Sequence, residues 1–157
     1  MTTGTETKGV QLYLLDATDS GNEVREITQI RSIGEATVSR AKIDITTLTS
    51  TEKEYLLGIA DRASFPVGFV YDPQNASYTA MKALEGSSTA SRFVIGLSDG
   101  TSVPTGTGPF TLPATRTWVD FNALVEAVNR GTADIDGAFI GTYTLAPTGG
   151  ETETAKA

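Results

Sequence analysis

The stretch GLSDG at residues 96–100 spells G-x-S-x-G, the spacing that in some hydrolases lifts a nucleophilic serine onto a strand-to-helix elbow. A serine nucleophile needs a general base, usually a histidine held by a carboxylate. The chain contains no histidine. A helix should follow the serine, but TSVPTGTGPF follows, and its prolines and glycines disfavour one. Nothing marks a lysine for a serine–lysine dyad. The stretch therefore reads as a strand, RFVIGL, ended by a turn at SDG. Glu126 and Asp134 are the acids that a carboxylate-dependent glycoside hydrolase on a β-sandwich would use. Trp118 and the nearby tyrosines would face solvent in a carbohydrate-binding module. DIDG at 134–137 spells the centre of an EF-hand loop, yet the bidentate acid due near Tyr143 is missing, so a hairpin turn is the simpler reading. The glycine-rich loop at 100–109 lacks the G-K-[ST] ending of a phosphate cradle and reads as a mobile connection. NAS at 75–77 has the letters of a glycosylation site but falls inside a predicted helix.

Composition narrows the chemistry further. With no cysteine and no histidine, disulfides and the common zinc, copper and iron ligands are excluded, leaving hard cations on carboxylates. No cofactor is called for. A net charge of −7 argues against ordinary nucleic-acid binding, which draws its affinity from lysine and arginine on phosphates. The 157 residues, 39% hydrophobic and 20% charged, suit one globular domain with a full core. No apolar run approaches the ~20 residues that cross a bilayer, and the start lacks the order of a secretion signal.

The elements follow from periodicity. Residues 1–9 and 147–157 are polar and small, and read as flexible arms around a single domain at 10–146. VQLYLL is a strand. EVREITQIRSIG spaces its apolar residues three apart, which leaves helix and strand open. EATVSRAKIDIT is a long strand whose apolar parity switches, so a bulge or bend is expected near Arg40. SFPVGFVYD puts Phe65, Val67, Phe69 and Tyr71 on one face, with Pro66 marking an edge or an N–H turned away from any partner. Residues 73–86 form the clearest helix, with Pro73 in its first turn, Tyr78, Met81 and Leu84 as its stripe and Gly86 at its close. RFVIGL and PFTLPATRTWVDF read as strands. DFNALVEAVNRG fits an amphipathic helix slightly better than a strand, and GAFIGTYTLA alternates as a strand.

The segment EKEYLLGI holds Tyr55, Leu56, Leu57 and Ile59 between polar flanks. Two readings stand: a short buried stretch between strands, or an apolar anchor that docks on another copy.

Taken in order, these segments resemble a known family. KIDITTLTSTEKEYLLGIADRASFPVGFVYDP at 42–73 is similar to the central signature of the major tail tube proteins of long-tailed, non-contractile (lambda-like) phages. The matching pieces are the D-I-T-T of residues 44–47, Glu54-Tyr55, the G-x-x-D at 58–61, and Tyr71-Asp72-Pro73 ahead of the helix. IGTYTLAPTG is similar to the family's last strand, and ITQIRSIGEA to the entry before D-T-T. The resemblance covers roughly residues 25–149.

The resemblance implies a mainly β fold: an antiparallel β-sandwich or barrel with one flanking helix, related to type VI secretion tube proteins. It makes DFNALVEAV a strand and leaves no room for an added immunoglobulin-like domain. It further implies a non-enzymatic virion protein, made in the host cytoplasm, that assembles with itself into stacked, hexameric rings. The tube would guide DNA through an acidic bore without binding it. Tape measure, tail-tip or baseplate and tail terminator proteins would be its partners, and the chain would insert in no membrane. The long loop at 47–64 would reach the next ring, with Thr47, Leu48, Tyr55, Leu56, Leu57 and Ile59 making the contacts. A carbohydrate-binding or glycoside-hydrolase module is the alternative.

Overall fold

In the computed structural model, residues 5–16, 23–106, 109–133, 135 and 137–157 are described. The elements are β1 (Gln11–Asp16), β2 (Glu23–Ile27), β3 (Ile30–Ile33), β4 (Val38–Asp44) and β5 (Tyr55–Arg62). They continue with β6 (Phe65–Val70), α1 (Ala76–Leu84), β7 (Ser91–Gly96), β8 (Trp118–Asn129) and β9 (Ile140–Thr154). Seven strands form one sheet in the order β2-β1-β7-β8-β9-β6-β3, and β4 and β5 form a separate hairpin. Every pairing is antiparallel. The fold is the mainly β architecture with one short helix that the sequence led us to expect.

The sheet cannot be flat. β2 and β3 stand at its opposite ends, yet only Thr28 and Gln29 separate them in the chain. The two strands are one strand bent at a corner, and the bend rolls the sheet over its own core. Gln29 turns that corner with φ of 61°, a left-handed conformation rare for a non-glycine residue. Its carbonyl accepts from Val70 N at 3.0 Å, and the Thr28 N–H donates to Ser77 Oγ on the helix at 3.1 Å. The Ser77 hydroxyl donates onward to Glu26 O at 2.9 Å, so α1 is bolted to the corner. The helix starts at Asn75, whose side chain caps Ser77 N at 2.8 Å, and Pro73 lies in the turn before it. Gly86, with φ of 76°, ends it.

Two cores result. Leu12, Leu14, Phe69, Phe93, Phe121, Val125, Tyr143 and Leu145 are among the side chains that fill the space inside the rolled sheet, with Met81 inserted from α1. Phe69 and Tyr143 stack there at 4.0 Å, and burial pushes the Tyr143 phenol well above its ordinary pKa. Tyr13, Leu15, Val94 and Trp118 point to the other face, where Phe110 and Leu112 cover them. The segment between β7 and β8 is thus a lid on a second core, whereas the sequence reading made its first part a mobile connection and PFTLPATRTW the start of a strand. Residues 107 and 108 of that loop lie outside the described residues.

Three other expectations are corrected. DFNALVEAV lies within β8, so the helical reading of its pattern gives way to the strand that the resemblance implied. Val119, Phe121, Ala123 and Val125 alternate onto the core until Glu126, which has no opposite number between Leu145 and Thr144 of β9. That bulge resets the parity, so Val128 joins Val125 on the same face. Three-residue spacing across a bulge is what imitated a helix. Secondly, residues 147–154, expected in a flexible tail, continue β9 and pair with Trp118–Ala123 through a bulge at 149–151. From Thr148 on the side chains are exposed, and the backbone ladder holds the strand, a force that apolar patterning does not register. Thirdly, much of the loop expected at 47–64 is the strand β5.

Two local expectations land close. Phe65, Val67 and Phe69 face the core with Tyr71 packed against it. Pro66 lies in an interior strand, and its carbonyl accepts from Gly34 N at 2.7 Å just past the end of β3, where no N–H is required. The irregularity near Arg40 is present, but Gly58 and Ile59 face Ala41 alone, so the extra residue belongs to β5. The turn expected at DIDG includes residues 134 and 136, and DATDSGN includes 17–22; these lie outside the described residues. So do residues 1–4 of the expected N-terminal arm.

Candidate assembly surface

GLSDG is the end of β7 and the turn after it, as the sequence suggested. Ser98 donates its hydroxyl to Glu6 O, and the two glycines make room for Arg116. A Cβ on Gly96 would lie 2.6 Å from Arg116 Cζ, so any side chain there would push the guanidinium off its carbonyls. The guanidinium is fully buried against Trp118, 5.2 Å from the ring centroid. Its donors reach Leu97 O at 2.6 Å, Gln11 Oε1 at 2.8 Å, Ser102 O and Gly96 O at 2.9 Å, and Gly9 O at 3.0 Å. The motif builds a structural clamp, not a nucleophile.

Asp99 serves the same end. It accepts from the Thr117 N–H and hydroxyl, donors that hold its carboxyl below the ordinary value of 3.8. With the folded pKa lowered, stability tied to this contact is complete above pH 3.8 and is lost as the pH falls through the lowered value. Acid titration of thermal stability should therefore show the parent losing ground to Asp99→Asn below that pH. Parallel acid limbs would refute the linkage.

The carbohydrate and hydrolase features come apart. Trp118 is 1% exposed and donates its indole N–H to Pro113 O at 2.7 Å, so it presents no face to a sugar. Glu126 is exposed and accepts from Ser64 Oγ at 2.6 Å, while Asp134 lies outside the described residues.

What the fold leaves uncovered is the β4–β5 hairpin. It leaves the rolled sheet between β3 and β6, as its own two-stranded sheet. Isolated hairpins of this kind are marginal in water without a third strand or a packed face. Both faces and the tip here carry exposed apolar groups: Leu48 at 107%, Ile59 at 94%, Leu57 at 63%, Leu56 at 55% and Tyr55 at 47%. Register puts Tyr55 and Leu57 on one face, opposite Asp44 and Lys42, and Leu56 with Ile43 on the other. Lys42 Nζ sits 5.5 Å from the Tyr55 ring centroid. The tip is built from hydroxyls: Thr46 N donates to Asp44 Oδ1 at 2.9 Å, Glu54 N to Thr46 Oγ1 at 3.0 Å and Thr47 N to Ser50 Oγ at 3.2 Å. The Thr46 hydroxyl and then its N–H hold the Asp44 carboxyl below its usual value.

The six residues singled out from the sequence thus lie on one projecting arm, with Thr47 and Leu48 at its tip. Of the two readings of EKEYLLGI, the buried stretch fails. Val38, Ile43 and Ile45, also exposed on the arm, were missed. The sequence placed them in a long strand, and nothing in a strand pattern says whether a sheet will cover it. Beyond Leu145, no strand among the described residues pairs with β9 on the β6 side, so the Ala146–Thr154 edge is unpaired. Residues 59–62 of β5 lie near it, beside Pro147, Gly149 and Gly150.

The family model described as phage tail tube, TTP, lambda-like matches residues 3–157. Structural protein 3 of Pseudomonas phage PAJU2 is 26% identical over 126 residues, 76% of each chain. The SPP1 tail tube superposes with a TM-score of 0.71 at 10% identity, over 97% of this chain and 80% of that one. The tail of an empty gene transfer agent (GTA) particle, refined with C6 symmetry, superposes with a TM-score of 0.62 at 18% identity, over 97% of this chain and 100% of that one.

Proposed function

The chain belongs to the lambda-like phage tail tube family and is a structural component of a phage tail, and on that footing we propose how it works. Copies close into rings of six, the rings stack into a tube, and DNA leaves the virion through its bore. The observation that carries this reading is the arm: a hairpin with apolar side chains on both faces and no core of its own is incomplete until another copy covers it. A donor arm and an acceptor elsewhere on the same chain make a heterologous contact, which propagates without closing and yields filaments. Six-fold rings are favoured by the C6 symmetry of the similar GTA tail. Thr47, Leu48, Tyr55, Leu56, Leu57 and Ile59 contact the next ring in this scheme. Tape measure, tail-tip and terminator proteins bound the tube, and the subunits are made in the host cytoplasm before joining the virion.

The net charge of −7 suits a conduit, since an acidic wall repels phosphates and holds no cargo. Electron microscopy and sedimentation test both parts. The purified protein is expected to form tubes at high concentration or when seeded with tail tips, and those tubes should not retain short duplex DNA at low salt. Monomer alone under both conditions would overturn the assembly reading, and DNA pelleting with the tubes would overturn the repulsive bore.

A further inference from the structure

If the arm is the donor of the stacking contact, as proposed above, the same chain must hold its acceptor. We propose that the acceptor is the groove between α1 and the end of β8, lined by Tyr78, Lys82, Val128, Asn129, Arg130 and Gly131, and that its occupant is the hairpin tip of a second copy. The groove measures about 580 Å³.

Position in the fold is the first argument. The arm leaves the rolled sheet where β3 ends and β6 begins. The end of β6, Val70, pairs with Ile140, and the end of β8, Asn129, pairs with Thr142 two residues along. The groove therefore sits at the far end of β6 from the arm. Donor and acceptor at opposite ends are what open-ended stacking needs. A second groove of about 540 Å³, lined by Thr7, Lys8, Val10 and residues 30–33, is the weaker candidate on this ground, because it spans β3, whose end leads to the arm, instead of lying wholly at the opposite end.

Complementarity is the second argument. The tip carries Asp44, Glu52 and Glu54 against Lys53, all exposed, so it is acidic. The groove carries Lys82 and Arg130. Lys82 already meets Glu85 at 2.6 Å, which leaves the exposed Arg130 as the main cation facing an incoming carboxylate. Tyr78 and Val128 supply an apolar floor for Leu48, whose side chain is wholly exposed in the free subunit. The tip is held in shape by its own hydroxyl network, so little ordering cost is left for docking.

The absence of cysteine makes the contact directly readable. In assembled tubes, Thr49→Cys with Asn129→Cys should join neighbouring chains through a short bismaleimide into a ladder of multiples. Thr49→Cys with Lys8→Cys, which tests the other groove, should not. Separately, Arg130→Glu should raise the concentration needed for assembly at least tenfold, and adding Glu52→Lys and Glu54→Lys should restore most of the loss. A ladder from the Lys8 pair alone, or an Arg130→Glu protein that assembles like the parent, overturns the acceptor while leaving the tube intact. If the cysteine variants fail to assemble, the charge reversal decides. A parent that forms no tubes with tail tips present overturns the tube reading itself, and the acceptor with it.

Discussion

Arg116→Met is expected to destabilise the free subunit by on the order of 3–5 kcal/mol, enough to lower its melting temperature by roughly 10 °C. The side chain is 0% exposed and meets four backbone carbonyls and Gln11 Oε1. A methionine fills much of the volume but leaves those acceptors buried and unpaired, each costing about 1–3 kcal/mol where water cannot enter. A hydrophobic replacement of a buried ion pair can be neutral because both charges leave together. Here the carbonyls belong to the backbone and cannot leave. Arg116→Lys separates charge from shape: an ammonium keeps the charge yet cannot fan its donors over five acceptors in the plane of a fork. It should recover only part of the loss. The clamp joins residues 9 and 11, the end of β7, the Ser102 segment and Trp118 of β8, so the lid over the second core should loosen first. Thermal unfolding by near-UV circular dichroism would follow Trp118 directly. A melting temperature within 2–3 °C of the parent, equivalent to about 1 kcal/mol, would refute the clamp.

No sequence pattern marks this arginine. It stands in PATRTWVD among turn residues, and its partners are carbonyls, which every residue carries. What was legible was the alternation of Phe65, Val67 and Phe69, the stripe of Tyr78, Met81 and Leu84, and the turn at SDG, because each is set by neighbours in the chain. What was not legible depends on pairing. Glu126 became a bulge only because β9 offers no residue opposite it, and 147–154 became strand only because Trp118–Ala123 had a free edge. The arm shows the same division. Its apolar residues were visible as a group out of place, while the strand they form needs β4 as partner. Their exposure is a property of the whole fold: the rolled sheet fills its core with other side chains and leaves these none to meet.

That exposure decides what happens when the arm is trimmed. Tyr55→Ala with Leu57→Ala should leave a folded, soluble subunit that no longer stacks. Both residues lie on one face of the hairpin, 47% and 63% exposed, and neither belongs to either core. Within the subunit the cost is limited to strand propensity and the Lys42 contact, of order 1 kcal/mol in total. Against the neighbouring ring, truncating a buried aromatic or leucine anchor costs about 2 kcal/mol each. Together that is about 4 kcal/mol per contact, or close to a thousandfold in the concentration at which rings add to a tube. Every subunit in the polymer repeats the defect, so no region of the tube escapes it. Pelleting across a concentration series, with far-UV circular dichroism of the supernatant, separates the outcomes. Tubes at the parent's concentration would refute the arm as the stacking contact. Loss of the β signal from the free subunit would show instead that Tyr55 and Leu57 hold the subunit's own fold. A native spectrum with no pellet is the expected result, and it would place the missing half of the hairpin's apolar packing on another copy.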